Sequence, residues 1–394
     1  MQKLVGVVQN YAWGDRNFIA DLVGVDKGQP QAEYWLGAHP RGAGTLADGS
    51  SLDDVIAASP SSVLGSDTEQ RYGQLPFLLK ILAAEKPLSI QCHPSKQQAE
   101  EGFARENEAG VALDSPVRTY RDDNHKPELI CALTPFEAKV GFRSVSGTRS
   151  LLESLPTSEL AELLGLLAQS KPESEIIRET LDYLLELPKP EAVELVSEVV
   201  RACREAVRAG VEELAVQDEL AVQWTPKIEQ HFPGDIGVVV ALLLNHVSLK
   251  PHEAVGLTAG NLHCYLSGVG VELMANSDNV VRGGMTPKHI DTVELLTVVD
   301  PNPSPPIIDS ATSAIHTFAS PADEFALTRI SSANARRFDI TGPEIWLVTA
   351  GEFSISCGRS TVELAEGEAC FVSAADGRLD VSGSGECWRA EVGL

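Results

Sequence analysis

The chain has 394 residues, 43% of them hydrophobic and 22% charged, which is enough apolar material for the cores of two or three domains. Its formal net charge of -25 argues against nucleic acid or an anionic membrane as the main partner, because both attract basic surfaces. An anionic small molecule would need a local cluster of Lys and Arg to hold it against this overall charge.

The spacing of the cysteines and the lengths of the apolar runs indicate the cellular compartment of the protein. The seven cysteines are scattered and never form a CxxC pair, which is typical of reduced thiols rather than of a disulfide scaffold. The longest apolar run, residues 236–244, is too short to span a membrane, and the N-terminal run is too short for a signal peptide. We therefore expect a cytoplasmic protein without a membrane partner.

The first part of the chain predicts mainly β structure. Residues 1–145 alternate short apolar runs with Gly, Pro, Asn and Asp, with one or two helices between them, one at 97–106. Residues 146–235 instead carry apolar side chains at helical spacing, separated by prolines, which predicts a block of amphipathic helices. The run 236–245 is apolar on every face and should be buried.

Strand patterns return after Pro251. Residues 262–274 and 292–299 are predicted strands, and the proline-rich segment 301–306 is a predicted linker. Short strands at intervals of about ten residues then predict a sandwich or barrel, most commonly a jelly roll. These strands are 325–329, 344–348, 353–357, 361–364, 369–372, 379–381 and 388–392. The predicted domains are a β-barrel (1–145 and 236–305), a helical insertion (146–235) and a C-terminal β domain (306–394).

Gln91 and His93 stand two apart in the stretch SIQCHPSK. In a strand they would share one face, and Cys92 would point the other way. Two side chains with lone pairs on one wall could form half of a metal site. They could equally be a hydrogen-bonded pair on a half-polar strand, and spacing alone leaves both interpretations open.

Two further stretches place polar side chains at the same spacing. In NHKPE the proline favours extended backbone, so Lys126 and Glu128 should share a face, although a surface ion pair would look the same. In NLHCYL, His263 and Tyr265 share a face, although a lone strand histidine is more often a core or rim residue. Downstream, 271–284 reads as a strand entering a polar turn and a glycine pair, or simply as a capped hairpin.

Together these stretches could form a zinc site, since zinc accepts His and carboxylate ligands. The candidate ligands are Gln91, His93, Glu128 and His263. With one carboxylate the site would keep a net positive charge, which suits Lewis-acid work on a sugar hydroxyl or carbonyl. A site that includes Cys92, Cys131 or Cys264 is an alternative, although the strand alternation turns Cys92 and Cys264 away.

These stretches resemble the type I phosphomannose isomerases over most of residues 1–300, in the same order and with matching spacing. The resemblance is carried by YAWGD (11–15), EYWLGAHPRG (33–42), LPFLLKILAAEKPLSIQCHPSK (75–96), DDNHKPELICAL (122–133) and GLTAGNLHCYLSGVGVELMANSDNVVRGGMTPKHID (256–291). QxHP, NHKPE and SDNVxRxGxTPK together are specific to that family. One difference from the family is Leu262, where the family often has proline. The C-terminal part matches the family only in its general pattern of short strands.

The resemblance implies a fold that is mainly β with an α-helical insertion, namely a cupin (jelly-roll) barrel followed by a second, cupin-like β-barrel domain. It implies one Zn²⁺ per chain on Gln91, His93, Glu128 and His263. The implied substrate is a small sugar phosphate, because the family interconverts mannose 6-phosphate and fructose 6-phosphate through ring opening and an enediol. We expect a monomer or a weak homodimer.

This chemistry needs a base, positive charge at the enediolate oxygen, and cations for the phosphate. The base would be Glu272 or Lys126, and Glu272 is preferred because its strand leads into the Arg282 turn. Arg282 and Lys126 could stabilise the oxyanion, and His125 and Asp278 could assist ring opening or orient neighbouring residues. The residues that the resemblance implies for the phosphate are Ser89, Lys80 and Lys288.

Two other functions remain open on the sequence. A cupin oxygenase, or an isomerase for another sugar, would keep the metal site, but an oxygenase needs a redox metal. The Gln ligand and the lack of an HxH segment argue against it. The second alternative is a metal-containing protein that binds sugar phosphates without turning them over. The role of the C-terminal domain, as a cover for the site or as support for the fold, is also open.

Overall fold

The computed structural model describes residues 1–209 and 216–393. Its N-terminal part contains β1 (Gln2–Val5), β2 (Val7–Gln9), α1 (Phe18–Val23), β3 (Glu33–Leu36), β4 (Thr45–Leu46), α2 (Leu52–Ala58), α3 (Pro60–Leu64), α4 (Ser66–Tyr72), β5 (Phe77–Ala84), β6 (Ile90–Cys92), α5 (Lys96–Glu108), β7 (Glu128–Ala132) and β8 (Phe136–Phe142). The predicted helix at 97–106 is confirmed as α5. The expectation of only one or two helices was wrong, because four short helices precede β5.

The helical block is confirmed. It contains α6 (Val145–Glu153), α7 (Ala161–Leu167), α8 (Glu173–Glu186), α9 (Lys189–Ala209) and α10 (Val216–Glu229). The run 236–245 forms α11 (Gly237–Val240), a 3₁₀ turn and the start of β9 (Leu244–Leu249), and it is buried over residues 237–244. Its apolar side chains join those of the helical block in one core.

The remainder is again mostly β structure. It contains β10 (Glu253–Leu257), β11 (His263–Ala275), β12 (Val281–Gly284), α12 (Thr292–Val298), β13 (Ile308–Ser310), β14 (Ile315–Thr317), β15 (Ala326–Asp339), β16 (Glu344–Cys357), β17 (Ser360–Ala365), β18 (Ala369–Val372) and β19 (Arg378–Glu391). The prediction of a strand at 292–299 was wrong, because that segment is α12. The side chain of Asp291 accepts a hydrogen bond from the backbone N–H of Glu294, and this N-cap starts the helix despite its β-branched residues.

Several predicted C-terminal strands are parts of longer ones. The structure joins 344–348 to 353–357 in β16, and 379–381 to 388–392 in β19. Glycines between these predicted strands lie inside the paired strands, where they permit close backbone approach. Gly351 has φ of 76° and is paired with Gly385, and a Cβ on Gly351 would lie 2.1 Å from the carbonyl oxygen of Ser384.

The strands of the described residues form two antiparallel sheets. The first has the order β13-β10-β7-β11-β5-β3-β2, and β6, β8, β9 and β12 extend it from the other half of β11. β11 is central, because it pairs with β5 and β7 over one half and with β6 and β8 over the other. A bulge between Tyr265 and Ser267 shifts its register against β8.

The second sheet has the order β14-β15-β19-β16-β18-β1-β4, with β17 on β16. It therefore includes two N-terminal strands, while β13 belongs to the first sheet, so strand pairing crosses the predicted boundary at residue 305. The domain limits themselves stay a prediction. Leu273 of the first sheet and Trp388 of the second belong to one buried apolar cluster. Across the described ranges no helix is both long and apolar enough to cross a membrane.

Candidate active site and metal centre

A cavity of about 1180 Å³ opens at the end of the first sheet where β6, β11 and β12 meet. His263 of β11 pairs with Gln91 of β6, and Gln91 pairs in turn with Arg282 of β12. Directly opposed residues of antiparallel strands project their side chains to the same face. Gln91 and Arg282 both line the cavity, so three neighbouring strands present these polar groups side by side.

Three predicted metal ligands lie together. Ligand atoms of His93, Glu128 and His263 all lie within 4.8 Å of one another, and all three residues are buried. The Nε2 of His93 is 3.3 Å from Oε1 of Glu128, and the Nε2 of His263 is 3.5 Å from its Oε2. Gln91, the fourth predicted ligand, pairs with His263 in the sheet, so the two side chains lie on the same face.

Backbone carbonyls fix which nitrogen of each histidine faces this group. The Nδ1 of His93 lies 2.8 Å from the carbonyl oxygen of Asn279, and the Nδ1 of His263 lies 3.0 Å from that of Asn261. A carbonyl can only accept, so each Nδ1 carries the proton and each Nε2 is left with a lone pair. Among the described residues, the buried Nε2 of His93 has no hydrogen-bond partner. This donor set fits a zinc ion.

The charges around the group also suit a metal. Burial, together with the charge of Lys126, lowers the pKa of His93 to about 4, so the imidazole is neutral at pH 7. Burial would raise the pKa of Glu128, but the ammonium of Lys126 at 2.8 Å holds it well below its usual range. The result is a neutral nitrogen ligand beside a permanently ionised carboxylate, with a lysine on the cavity side.

Lys80 has a clear reason to interrupt an apolar strand. Its Nζ lies 3.2 Å from Glu272 and 3.7 Å from Glu33. Burial would lower the pKa of Lys80, but the two carboxylates raise it above its ordinary value. Lys80 lines the cavity, and its ammonium is already engaged as a counter-ion. Its implied phosphate contact is therefore less favoured than its role as a counter-ion.

Glu272 lies deeper than the preferred base should. Only 2% of it is exposed, and the described residues that line the cavity include Lys126 but not Glu272. Burial raises the pKa of Glu272, with Lys80 opposing the shift. The geometry thus brings Lys126 to the cavity and places Glu272 against the ammonium of Lys80.

A cluster of cations forms another wall. Arg282 donates from Nη1 to the hydroxyl of Ser89 at 2.9 Å, and Lys288 and Arg121 line the same cavity. The charge of Arg282, ahead of burial, lowers the pKa of Lys288, and burial followed by Arg121 lowers that of Arg282. These cations repel one another, so an anion would be stabilised between them. This is the local cluster that the charge of -25 requires.

The two residues expected to assist ring opening are separated. Asp278 lines the cavity, 2.6 Å from Nη2 of Arg41 and 3.6 Å from Nε2 of His39. His125 is absent from the described cavity lining, and its Nε2 lies 2.6 Å from Oε1 of Glu324, which precedes β15. Of the two roles expected for His125, its position favours orienting neighbouring residues over assisting ring opening.

Several cavity residues had no role in the sequence interpretation. They are Tyr11, Trp13, Glu33, His39, Arg41 and Arg121. All but Arg121 lie inside the stretches YAWGD and EYWLGAHPRG. These two stretches carried part of the family resemblance, but no chemical role was assigned to their residues. Arg121 directly precedes the stretch DDNHKPE. Burial lowers the pKa of His39 to about 4, so this histidine is neutral beside Asp278.

Comparisons with known proteins agree with this site. The family model for the phosphomannose isomerase type I catalytic domain matches residues 1–145. The mannose-6-phosphate isomerase of Escherichia coli (strain K12) is 36% identical over 403 residues, covering 99% of each chain, and that of Salmonella typhimurium is 37% identical over 404 residues with the same coverage. The crystal structure of the Salmonella typhimurium mannose 6-phosphate isomerase bound to its substrate (f6p) and zinc has a TM-score of 0.89 at 36% identity and covers 100% of both chains.

A mannose 6-phosphate isomerase structure bound with zinc and yttrium has the same TM-score, 0.89, again over 100% of both chains. This likeness at 36% identity confirms the expected fold class, mainly β with a helical insertion. The sequence similarity, the fold and the grouping of His93, Glu128 and His263 all indicate the same family. The chain belongs to the type I phosphomannose isomerase family.

Proposed function

We propose that this protein is a zinc-dependent isomerase that interconverts D-mannose 6-phosphate and D-fructose 6-phosphate. The observation that carries this proposal is the row His263, Gln91 and Arg282 across three paired strands. Strands lie about 4.8 Å apart, so the metal ligand and the cation cluster are separated by about 10 Å at the backbone. A sugar phosphate can therefore place its reacting carbons at one and its phosphate at the other.

Gln91, His93, Glu128 and His263 would hold the zinc ion. When bound, zinc supplies positive charge for the substrate oxygens on the first two carbons. The two imidazoles are oriented by Asn279 and Asn261, so the ligand geometry is set before the metal arrives. The relative from Salmonella typhimurium, whose structure contains zinc and f6p, supports this assignment.

The phosphate would be bound by Arg282, Lys288 and Ser89, and we add Arg121 to this set. Arg282 and Ser89 are already hydrogen-bonded, so the guanidinium is aimed before the substrate binds. Charge-assisted contacts of this kind favour a dianionic phosphate over a neutral group. Lys80 would instead keep Glu33 and Glu272 ionised beside the cavity.

We propose that Lys126, acting as the neutral amine, takes the proton from C2 on its Nζ and delivers it to C1. It lines the cavity and touches Glu128, whereas Glu272 lies behind Lys80. Arg282 lies at the phosphate end of the row, where its charge would hold the phosphate and thereby align the reacting carbons at the metal end. Asp278, which faces the cavity beside His39, would handle the proton exchanged in ring opening.

A coupled assay tests the function. Purified protein is given mannose 6-phosphate, and fructose 6-phosphate is followed before chelation, after chelation and after zinc is added back. Unphosphorylated mannose serves as the control for the cation cluster. Activity that disappears with the chelator, returns with zinc and requires the phosphate is the expected result. Absence of turnover in folded, zinc-loaded protein would contradict the proposal and favour a binding protein.

We also propose a cytoplasmic location and a monomer or weak homodimer. The scattered cysteines without a CxxC pair support the first. Light scattering after size exclusion, over a range of protein concentrations, measures the second. A tight dimer or larger assembly would contradict it.

A further inference from the structure

The loop of residues 122–128, which carries two of the proposed site residues, is held from two sides. On one side it contacts the segment 276–279. Asn124 donates from Nδ2 to the carbonyl oxygen of Asn276 at 3.1 Å. The carbonyl oxygen of Asn124 accepts from Ser277 Oγ at 3.1 Å and from Asn279 Nδ2 at 2.8 Å. These contacts stay within the first sheet and its loops.

On the other side the loop contacts the C-terminal part of the chain. The Nε2 of His125 lies 2.6 Å from Oε1 of Glu324, and the side chains are only 23% and 13% exposed. Burial would raise the pKa of Glu324, but the hydrogen bond and the charge of His125 lower it overall. Glu324 stands on a fixed backbone, because Phe325 is fully buried and its carbonyl accepts from Ser320 Oγ at 2.7 Å.

Backbone geometry connects this contact to the site. Pro127 favours extended backbone at Lys126, and neighbouring side chains of an extended segment point in opposite directions. With His125 directed at Glu324, Lys126 is directed into the cavity, where it meets Glu128. If His125 were released, the loop could rotate and the Nζ of Lys126 would lose its fixed position.

We propose that Glu324 is a positioning residue for the isomerase site, acting from the C-terminal domain through His125 on Lys126. This inference rests on the proposed function. It gives the C-terminal domain a part in catalysis, because the catalytic loop is completed by a carboxylate that the first sheet does not supply.

A second contact between a histidine and a glutamate offers a matched control. The Nε2 of His252, in the turn between β9 and β10, lies 2.6 Å from Oε2 of Glu386 on β19. It joins the same two sheets at the same distance, and neither residue lines the described cavity. His252 has φ of 72°, which asparagine tolerates, so His252→Asn removes the contact with little backbone strain. If both contacts only stabilise the interface between the sheets, removing either one should have the same effect on activity.

The test uses the full-length, zinc-loaded protein and the variants Glu324→Ala, Glu324→Gln and His252→Asn. We measure kcat, KM for mannose 6-phosphate, bound zinc and Tm. Glu324→Ala should lower kcat by about tenfold to hundredfold, as loss of a supporting hydrogen bond does at other sites. KM should change little, because three of the four proposed phosphate-binding residues, Arg282, Lys288 and Ser89, lie on other elements. Glu324→Gln should restore most of kcat, since its amide oxygen can accept from His125.

His252→Asn should lower Tm at least as much as Glu324→Gln does while leaving kcat within about twofold. If Glu324→Ala is insoluble, His125→Ala removes the same contact and should lower kcat by the same factor. Where both fold, the double variant should lose no more than either one. Unchanged kcat in Glu324→Ala, or an equal loss in His252→Asn, would overturn the inference alone. An inactive wild-type protein would instead refute the proposed function, and the inference with it.

Discussion

Replacing Lys80 with methionine tests the charge balance beside the site. Lys80 is 5% exposed and lies between Glu272 and Glu33, so the substitution leaves two carboxylates without their shared cation. Removing one partner of a buried ion pair costs about 3–5 kcal/mol in the free energy of unfolding. Methionine approximately preserves the apolar volume, so lost packing should add little. We expect a loss of this size near pH 8.

The loss should shrink in acid, because Glu272 can take up a proton in place of the lysine. Burial already raises the pKa of Glu272, and removing Lys80 removes the strongest opposing charge. In the variant the folded protein would then hold a proton at pH values where the unfolded chain has released it. Its stability therefore falls as the pH rises above the ordinary glutamate pKa of about 4.3.

Urea unfolding at about pH 5.5 and pH 8, with zinc saturated, measures both effects. The variant is compared with wild type at each pH, so that effects common to both cancel. The double variant Lys80→Met with Glu272→Gln should recover part of the loss. Lys171→Met removes a lysine from a more exposed pair with Glu179 and should cost far less stability, because solvent screens that pair. Equal losses at both pH values, or a loss no larger than for Lys171→Met, would refute the reasoning.

Three further outcomes follow from the site and its surroundings. Arg282→Ala should lower kcat by about a hundredfold while elemental analysis still finds one zinc per chain, and unchanged turnover would remove Arg282 from the mechanism. His93→Ala should lose both zinc and activity, and retention of zinc would remove His93 from the ligand set. Burial lowers the pKa of Lys139 to about 7, so Lys139→Met should raise stability most at or below pH 7, with the gain shrinking towards pH 10. A gain that grows with pH in denaturation experiments would contradict this.

Local alternation was enough to predict which side chains share a face. Lys126 and Glu128, two apart in an extended segment, are in contact at 2.8 Å, and Tyr265 and His263 both face Glu128. Such predictions succeed because they depend only on the backbone of neighbouring residues. Spacing along the chain does not show which distant segments come together in the fold. That information came from the resemblance to the family.

Contacts between distant segments escaped prediction. Glu324 is 199 residues from His125, and no local pattern links them. The burial of Glu272 behind Lys80 also depends on register, since β5 and β11 place them opposite each other. At α12 a single N-cap outweighed β propensity.

The bulge in β11 has a consequence for the length of this strand. His263 and Glu272 are nine positions apart, an odd number, so in an uninterrupted strand they would face opposite sides. The irregularity after Tyr265 resets the phase, and Gly268 accommodates it at φ of 117°, where a Cβ would lie 2.6 Å from the carbonyl oxygen of Pro135. Deleting one residue at the bulge would therefore do more than shorten β11, because it would exchange the inward-facing and outward-facing side chains along one end of the strand.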